Sequence, residues 1–388
     1  MRFSDYNDSL KNICLSELLS FQNGINADSN KYGRGIKYIS VGDIINNDYI
    51  TYDCIKGKVD ISQKELNNYL VENGDILFQR SSETFEDIGN ANVYLDEQPC
   101  TFGGFVIRGR KIGEYDPKYL NYLLKSPNAR KQVIRLGAGA QHYNISQESL
   151  NKIILSFPSA KEQEKISRFL TKIEEQIQLQ NKIINKYESL IKSIEEEILW
   201  KGSDSRYVPI KEFLVERNEK SAIQDQYPVL SSTVKGLFLQ SDYFQREIAS
   251  SNNIGYKITK LNDIIISPQN LWMGNITYND KFENGIISPS YHIYEIKDGY
   301  NKQYIATILK SHKAFYCYKN ISEQGASVVR RNLNMDAFLN IMFPIPTKEK
   351  QDEAGVIIQQ LHLKLDIEKQ YLNSLLSQKT YLLNNMFI

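Results

Sequence analysis

Two stretches of the chain place apolar residues at intervals that alternate between four and three. A period of 3.5 residues, sustained over more than four heptads, predicts a coiled-coil seam rather than an ordinary amphipathic helix. The first seam runs through Ile166, Leu170, Ile173, Ile177, Gln180, Ile184, Tyr187, Ile191, Ile194 and Ile198. The second has the same spacing and runs through Ala354, Ile358, Leu361, Leu365, Glu368, Leu372, Leu375, Lys379, Leu382 and Met386.

The second stretch repeats the first at a shift of 188 residues, so that the run Pro158–Gln163 returns as Pro346–Gln351. The same shift relates Gly137 to Gly325 and Asp75 to Asp263. A repeat of this length predicts one globular domain followed by one long helix, used twice. We place the domains at residues 1–157 and 203–345, and their helices at residues 158–202 and 346–388.

Each domain alternates short β-rich runs with helical patterns. The first contains the strand runs Asp75–Phe78 and Phe102–Ile107 and the helical run Tyr119–Leu124. The second repeats this order with Asp263–Ile266, Tyr291–Tyr294 and the helical run Tyr304–Leu309. Short strands with intervening helices predict an α+β fold for each domain.

Helix length sets the expected arrangement of the domains. A helix of about 40 residues is about 60 Å long, so the first helix delivers the chain to the second domain. The second helix has to run back antiparallel to bury its seam on the first. We therefore expect two similar domains joined by an antiparallel coiled coil, with pseudo-two-fold symmetry. Gln180 and Glu368 share one seam position, where a polar residue either fixes the register or marks a solvated end of the seam.

Composition narrows the class of protein. The chain has 388 residues, of which 41% are hydrophobic and 24% charged, as expected for two or three globular domains. The N-terminus carries no apolar signal core, and no run approaches the roughly 20 apolar residues of a membrane span. Four distant cysteines indicate neither a zinc site nor a disulfide framework. We expect a cytoplasmic protein without a membrane segment.

The net charge is only +1, but positive charge is concentrated at matching places in the two copies. Residues 109–143 carry seven basic and two acidic side chains, and residues 297–331 carry the same numbers. Lysine and arginine are common on any surface, so one such window means little. Two windows at equivalent positions favour contact with phosphate groups.

Loops that could contact DNA bases follow the Asp-Ile strands, since Arg and Lys pair with guanine, Asn and Gln with adenine, and Ser or Thr with either. These loops contain Gln79, Arg80, Ser81 and Ser82 in the first copy and Gln269, Asn270 and Trp272 in the second. A further repeated loop offers Gln141, His142 and Tyr143 in the first copy and Arg330 and Arg331 in the second as base or backbone contacts. The alternative is that these polar clusters only form turns. Base contacts by such different residues would imply two different half-sites.

Motifs for catalysis are missing from the sequence. It has no phosphate-binding glycine loop and no dinucleotide fingerprint. The run Ser288–Tyr291 faintly matches an amino-methyltransferase motif but lacks its second proline, and we interpret it as the entry to a strand. The four histidines, His142, His292, His312 and His362, do not have the spacing of metal ligands.

The motifs follow one order, and that order occurs twice. The loop Gly137–Ser146 precedes a proline and a glutamine separated by four residues, and the long helix comes next. The runs Asn73–Leu77 and Asn262–Ile265 add a second matching pair. This doubled order covers essentially the full chain and resembles the specificity subunits of type I restriction-modification systems. The second copy departs from the family pattern at Ser327–Arg331, and it has Asn262 in place of the glycine.

The resemblance implies a DNA-recognition scaffold without catalytic residues, metal or cofactor of its own. Each domain would bind one half of a bipartite, asymmetric target in double-stranded DNA, and the helices would set the spacer. Two modification subunits would dock on this scaffold and transfer a methyl group from S-adenosylmethionine to adenine. Restriction subunits would join them and cleave DNA with ATP and Mg²⁺.

Two alternative functions fit parts of the pattern. The chain could be the recognition part of a fused restriction-methylation enzyme, although such an enzyme would carry methyltransferase motifs upstream, and this chain starts in its recognition domain. It could also be a coiled-coil adaptor without a DNA role. The paired basic windows argue against that adaptor.

Overall fold

The computed structural model describes residues 3–6, 8–137, 143–201, 205–243, 252–324 and 331–387. The chain divides into two compact units. The first unit comprises residues 1–182 with 370–388, and the second comprises residues 183–369. Each unit therefore holds one globular part and one half of each long helix. None of the described helices is long and apolar enough to cross a membrane.

The globular part of the first unit mixes short strands and helices. Its strands are β1 (Lys11–Cys14), β2 (Leu19–Asn23), β3 (Tyr32–Ile39), β4 (Lys58–Val59), β5 (Ile76–Gln79), β6 (Ser81–Ser82), β7 (Ala91–Val93), β8 (Thr101–Phe102), β9 (Val106–Lys111), β10 (Tyr143–Asn144) and β11 (Ile154–Phe157). Its helices are α1 (Leu15–Leu18), α2 (Val41–Ile45), α3 (Gln63–Asn68), α4 (Pro117–Lys125), α5 (Pro127–Leu136) and α6 (Gln147–Asn151). The first long helix, α7 (Ala160–Trp200), follows.

The second globular part repeats this composition. Its strands are β12 (Arg206–Pro209), β13 (Leu214–Glu216), β14 (Leu230–Thr233), β15 (Gly236–Leu239), β16 (Lys257–Lys260), β17 (Ile264–Ile266), β18 (Ile276–Tyr278), β19 (Asn284–Ile287), β20 (His292–Ile296), β21 (Ser322–Gln324), β22 (Arg331–Leu333) and β23 (Met342–Ile345). Its helices are α8 (Ile210–Phe213), α9 (Gln240–Tyr243), α10 (Lys302–Leu309), α11 (His312–Asn320) and α12 (Met335–Leu339). The second long helix is α13 (Lys348–Met386).

Both units are built on a four-stranded antiparallel sheet with the same connectivity. The strand order is β2-β9-β5-β7 in the first unit and β13-β20-β17-β18 in the second. The pair β1–β11 corresponds to β12–β23. Strand β10 corresponds to β22, but β10 pairs with β6, whereas β22 pairs with β21, whose counterpart at residues 134–136 is the end of α5. The predicted α+β fold, used twice, is confirmed.

The turn before the central strand has glycine in the first copy and asparagine in the second, and its backbone conformation explains why both residues are suitable. Gly74 has φ +90° and Asn262 has φ +73°, and both precede a buried aspartate, Asp75 or Asp263. Glycine adopts a positive φ without steric cost, and asparagine tolerates it better than most residues. The departure of the second copy at this position therefore preserves the turn.

Each buried aspartate is paired with an arginine. The Nε of Arg110 lies 3.2 Å from a carboxylate oxygen of Asp75, and the Nε of Arg217 lies 2.9 Å from one of Asp263. Burial raises the pKa of both carboxyl groups above the usual range, against the opposite effect of hydrogen bonds and the arginine charge. The two pairs lie at equivalent places in the two sheets, but their arginines come from different strands. Arg110 belongs to β9, whereas Arg217 directly follows β13.

The repeated Pro-to-Gln motif is a hydrogen-bonded bridge. The side-chain amide of Gln163 donates to the carbonyl of Pro158 at 3.0 Å and accepts from the backbone N–H of Asp116 at 3.1 Å. Asp116 is the N-cap of α4, and its carboxylate accepts from the N–H of Tyr119 at 2.7 Å. One buried glutamine thus joins the start of α7 to a helix of the globular part.

The second copy forms the same bridge. Gln351 donates to the carbonyl of Pro346 at 2.9 Å and accepts from the backbone N–H of Asn301 at 2.9 Å. Asn301 is the N-cap of α10. The spacing from proline to glutamine is fixed because one side chain has to reach both a carbonyl behind it and an N–H beside it.

The long helices bury most of the predicted seam. In the first unit Leu170, Ile173 and Ile177 of α7 belong to one core cluster with Leu375 and Leu382 of α13, and this cluster is continuous with the core of the globular part. In the second unit Leu199 and Ile358 join the globular core in the same way. Because each core runs into its seam, each globular part is anchored on the helices.

Two side-chain contacts in the second unit show that the helices run antiparallel there. Lys369 lies 2.8 Å from Glu188, and His362 lies 2.8 Å from Glu195. Residue numbers fall along one helix as they rise along the other, as predicted. Gln180 is buried in the first unit and Glu368 is half-buried in the second. Their role in setting the register stays a prediction.

Lys379 occupies a predicted seam position, where it forms ion pairs instead of apolar contacts. Its ammonium lies 2.8 Å from the buried Glu174 of α7 and 3.0 Å from Asp48 of the globular part. Glu174 also accepts a hydrogen bond from the hydroxyl of Tyr122 at 2.6 Å. This ionic cluster joins three separate segments of the first unit.

Candidate nucleic-acid interface

Two predicted loops of the first unit meet in one place. Strand β6 directly follows Arg80 and pairs with β10, so that Ser81 lies opposite Asn144 and Ser82 opposite Tyr143. The next residue, Ile145, donates its backbone N–H to the carbonyl of Arg80 at 3.0 Å. A short ladder therefore fixes the loop after the central strand to the end of the second repeated loop.

The second unit joins the corresponding loops in a related way. The backbone N–H of Arg331 donates to the carbonyl of Gln269 at 3.1 Å. The guanidinium carbon of Arg331 lies 4.3 Å from the ring centroid of Trp272. Three of the predicted contact residues are thus adjacent, although 62 positions separate the first from the last.

Some predicted contact residues hold the loop of the first unit together. Gln79 is only 4% exposed and donates to the carbonyl of Ser81 at 3.0 Å. Ser82 is 9% exposed, and its hydroxyl accepts from the N–H of Thr84 at 3.1 Å. The hydroxyl of Ser81 donates to the side-chain oxygen of Asn144. The structure therefore gives Gln79 and Ser82 internal partners, and their contact with DNA stays a prediction.

Arg80 and Tyr143 are more accessible. Both are half-buried, and Arg80 donates to the carbonyl of Gly104 at 3.3 Å. Tyr143 packs edge-on against Phe85, with ring centroids 5.1 Å apart. Phe85 was not predicted as part of the site, and only its position between polar residues could have suggested an exposed aromatic ring.

In the second unit the loop after β17 is more open. Gln269 is exposed, while Asn270 and Trp272 are half-buried. The carbonyl of Asn270 accepts the N–H groups of Met273 at 3.1 Å and Asn275 at 3.2 Å, which folds the loop into a single helical turn. The predicted residues Gln141, His142 and Arg330 lie outside the described residues.

In the first basic window, residues 109–143, several of the positive side chains have partners within the fold. Arg110 is paired with Asp75, and Arg130 donates to the carbonyls of Glu86 at 2.7 Å and Ile88 at 2.8 Å. Lys131 and Arg135, in contrast, are exposed on α5. Several cations of the first window therefore stabilise the fold, because buried carbonyls and carboxylates near them need partners.

The turn between β8 and β9 was missed by the sequence analysis. Phe102–Ile107 was predicted as one strand run, but the structure interrupts it at Gly103, Gly104 and Phe105, and Phe105 is 70% exposed. Its carbonyl accepts the N–H of Arg80 at 2.9 Å. The paired glycines were the available signal, since glycine weakens a strand and favours turns. In the second unit, the predicted strand entry at Ser288–Tyr291 is confirmed, because β20 begins at the next residue.

The described residues offer no group of three or more His, Cys, Asp or Glu side chains that could hold a metal ion. The arrangement in each unit is instead one of hydrogen-bond donors, acceptors and aromatic rings, gathered where backbone hydrogen bonds join two loops. Such side chains can contact base edges, phosphates and ring faces.

Comparison with known proteins gives a consistent result. The family described as the type I restriction modification DNA specificity domain matches residues 7–189 and 222–377. The specificity subunit of the type I restriction enzyme EcoKI from Escherichia coli (strain K12) is 26% identical over 161 residues, which are 39% of this chain and 33% of that protein. The match thus spans about a third of the length of this curated relative.

Two solved structures resemble the whole chain. The type I restriction-modification S subunit from M. genitalium has a TM-score of 0.56 and 15% identity, covering 100% of this chain and 97% of that one. A chain from a structure described as explaining complex assembly and conformational transition of the type I R-M system has a TM-score of 0.59 and 12% identity, covering 97% of each chain. At these identities the likeness concerns the fold.

Proposed function

The chain belongs to the type I restriction-modification DNA specificity family, and we propose that it binds a bipartite target in double-stranded DNA. In this proposal each unit contacts one half-site, and the long helices set the number of unread base pairs between the halves. The chain has no catalytic role, in keeping with its family. S-adenosylmethionine, ATP and Mg²⁺ act on partner subunits.

One observation carries this proposal. Each unit ties the loop after its central strand to a second repeated loop, yet the side chains at the junction differ. The first unit presents Arg80 and Tyr143 on two loops joined by the β6–β10 ladder, whereas the second presents Arg331 against the ring of Trp272. A shared scaffold with different polar and aromatic side chains suits the recognition of two different base sequences.

The long helices also offer surfaces for partner subunits. Large apolar side chains outside the seam are exposed in both units: Leu179, Tyr371, Leu376 and Tyr381 in the first, and Leu190, Val356, Leu363 and Ile367 in the second. Leu363 and Ile367 are one helical turn apart on the same face of α13, and contiguous exposed apolar surface is typical of protein-interaction sites. In our proposal, modification subunits dock on these helices, and restriction subunits join the resulting complex.

The target is tested by sequencing methylated sites in DNA from cells that express the chain with its modification subunit. We expect one motif made of two short sequences separated by a constant gap. Four residues inserted in α7 are expected to alter the gap and leave both sequences unchanged. A single uninterrupted motif, or no motif, would contradict the proposal.

Two binding experiments test the remaining points. Leu363→Glu combined with Ile367→Glu is expected to weaken co-purification with the modification subunit, whereas Ile112→Glu, which alters an exposed residue of the first globular part, is not. S-adenosylmethionine is expected not to bind the isolated chain. Saturable binding would instead support an enzyme with its own methyltransferase site.

A further inference from the structure

The turn between β8 and β9 holds an aromatic side chain in solvent. Phe105 is 70% exposed, whereas Phe102 and Val106, which flank the turn, are fully buried. An exposed phenylalanine is common enough on a flexible loop. Phe105 differs from a phenylalanine on a flexible loop, because hydrogen bonds hold the backbone on both sides of it.

Backbone hydrogen bonds brace this turn. Val106 donates to the carbonyl of Gly103 at 2.9 Å, closing the turn, and Gly103 donates to the carbonyl of Ile39 at 3.0 Å. Gly24 donates to the carbonyl of Val106 at 3.1 Å. A Cβ on Gly24 would lie 2.1 Å from the carbonyl oxygen of Gly103, so only glycine permits this approach of the two segments.

The turn is also bonded directly to the candidate interface. Arg80 donates its backbone N–H to the carbonyl of Phe105 at 2.9 Å and its guanidinium to the carbonyl of Gly104 at 3.3 Å. Phe105 therefore lies beside the side chain that we assign to base contact in the first unit. An arginine that pairs with guanine does so in the major groove.

From this placement we propose that Phe105 recognises the C5-methyl group of a thymine in the first half-site, an inference that rests on the proposed function. The thymine methyl is the apolar feature of the major groove, and phenylalanine is among the side chains that contact it. The fixed turn supports this contact because little backbone conformational entropy is lost when a side chain on an already ordered turn binds.

The second unit has a different side chain at this place. Its turn before β20 closes with a hydrogen bond from Tyr291 to the carbonyl of Ser288 at 3.1 Å, so Ser290 stands where the first unit has Phe105. Ser290 is exposed, and its hydroxyl lies 3.1 Å from that of Ser288. A hydroxyl can donate to or accept from a base edge, and methyl recognition is therefore assigned to the first unit alone.

The experiment uses the chain assembled with its modification subunit and the duplex target defined by methylation-site sequencing. Each thymine of the target is replaced in turn by deoxyuridine, which removes only the methyl group. We expect one replacement to weaken binding by the wild type about fourfold, as for the loss of one buried methyl group. That position should lie in the half-site whose base preference depends on Arg80.

Three variants make the test specific. Phe105→Ser is expected to weaken binding to the thymine duplex by about fourfold or more, with no further loss on the deoxyuridine duplex. Phe105→Leu should retain most of the affinity and the sensitivity to deoxyuridine. Ile112→Ser is the matched control, since Ile112 is 59% exposed and follows the far end of β9, about 20 Å away. It should behave as the wild type.

The outcomes separate the two proposals. Equal sensitivity to deoxyuridine in the wild type and Phe105→Ser would overturn the methyl contact, as would the absence of any sensitive thymine. If Phe105→Ser weakened binding equally for unrelated duplexes, the methyl contact would also be overturned. That result would show that Phe105 contacts DNA irrespective of the base sequence. If the wild-type complex showed no preference for any target, the proposed function itself would fail.

Discussion

The guanidinium carbon of Arg331 lies 4.3 Å from the ring centroid of Trp272. At the equivalent place in the first unit, 188 positions earlier, Tyr143 packs on Phe85 with ring centroids 5.1 Å apart. The second unit thus has an arginine against an aromatic ring where the first unit has two aromatic rings in contact, and in both units backbone hydrogen bonds join the two loops. An aromatic face restricts the directions that the arginine can adopt. It therefore orients the donor groups that we assign to the second half-site.

Trp272→Ala is expected to relax base preference in the second half-site only. Loss of an exposed cation–aromatic contact of about 0.5–1 kcal/mol corresponds to a two- to fivefold loss of affinity for the preferred target. Fluorescence anisotropy with duplexes altered in one half at a time measures this effect. Trp272→Phe keeps an aromatic face and should lose less. Equal relaxation in both halves would refute the assignment of Trp272 to one half-site.

Arg80→Ala is expected to change base preference at one position of the first half-site. An arginine that contacts guanine through two hydrogen bonds contributes about 1–3 kcal/mol of discrimination. The measurement is binding to a set of duplexes with each base pair of the half-site substituted in turn. Should all duplexes, specific or not, be weakened equally, Arg80 contacts phosphate rather than a base.

Gln163→Leu is expected to destabilise the first unit by about 2 kcal/mol. The substitution leaves the carbonyl of Pro158 and the backbone N–H of Asp116 without their partner in a buried place. Urea unfolding followed by circular dichroism measures the loss. Gln176→Leu, on the exposed face of the same helix, is the matched control. Equal stability of the two variants would show that the bridge contributes nothing.

Lys379→Met is expected to cost about 3 kcal/mol of stability, because Glu174 would remain as an unpaired buried charge. Lys369→Met, on the same helix, removes only an exposed pair with Glu188 and should cost less than about 0.5 kcal/mol. Adding Glu174→Gln to Lys379→Met should recover most of the loss. If the two single variants proved equally stable, the ionic cluster would not anchor the helix.

The helices were largely predictable because a heptad seam is a local pattern. Helix α7 begins at Ala160 and α13 at Lys348, each two residues inside its predicted start. The role of Lys379 was not predictable. Its partner Asp48 is 331 positions away, and no local pattern links the two residues. The sequence pattern of an isolated lysine in an apolar seam is the same whether its ammonium is solvated or forms an ion pair.

The sequence predicted the loops of the candidate site, and the contact of their side chains with DNA stays a prediction. The loops after the Asp-Ile strands and the second repeated loops were predicted separately, and the structure brings them together. Gln79 proved to be buried because β5 is covered on both faces, and residue type alone cannot show which way a side chain points. Phe105 was overlooked because its run was assigned to a continuous strand, which the turn interrupts.

The glutamine bridge has a consequence for how such proteins could be assembled from parts. Gln163 and Gln351 bond only to backbone atoms, and the residue opposite is Asp116 in one copy and Asn301 in the other. A foreign globular part therefore needs only a helix start that offers a free N–H. A chimera joined just before Gln163 keeps the bridge, provided that four residues still separate the glutamine from the position of Pro158. The glutamine thus marks the boundary at which one recognition cassette can be exchanged for another.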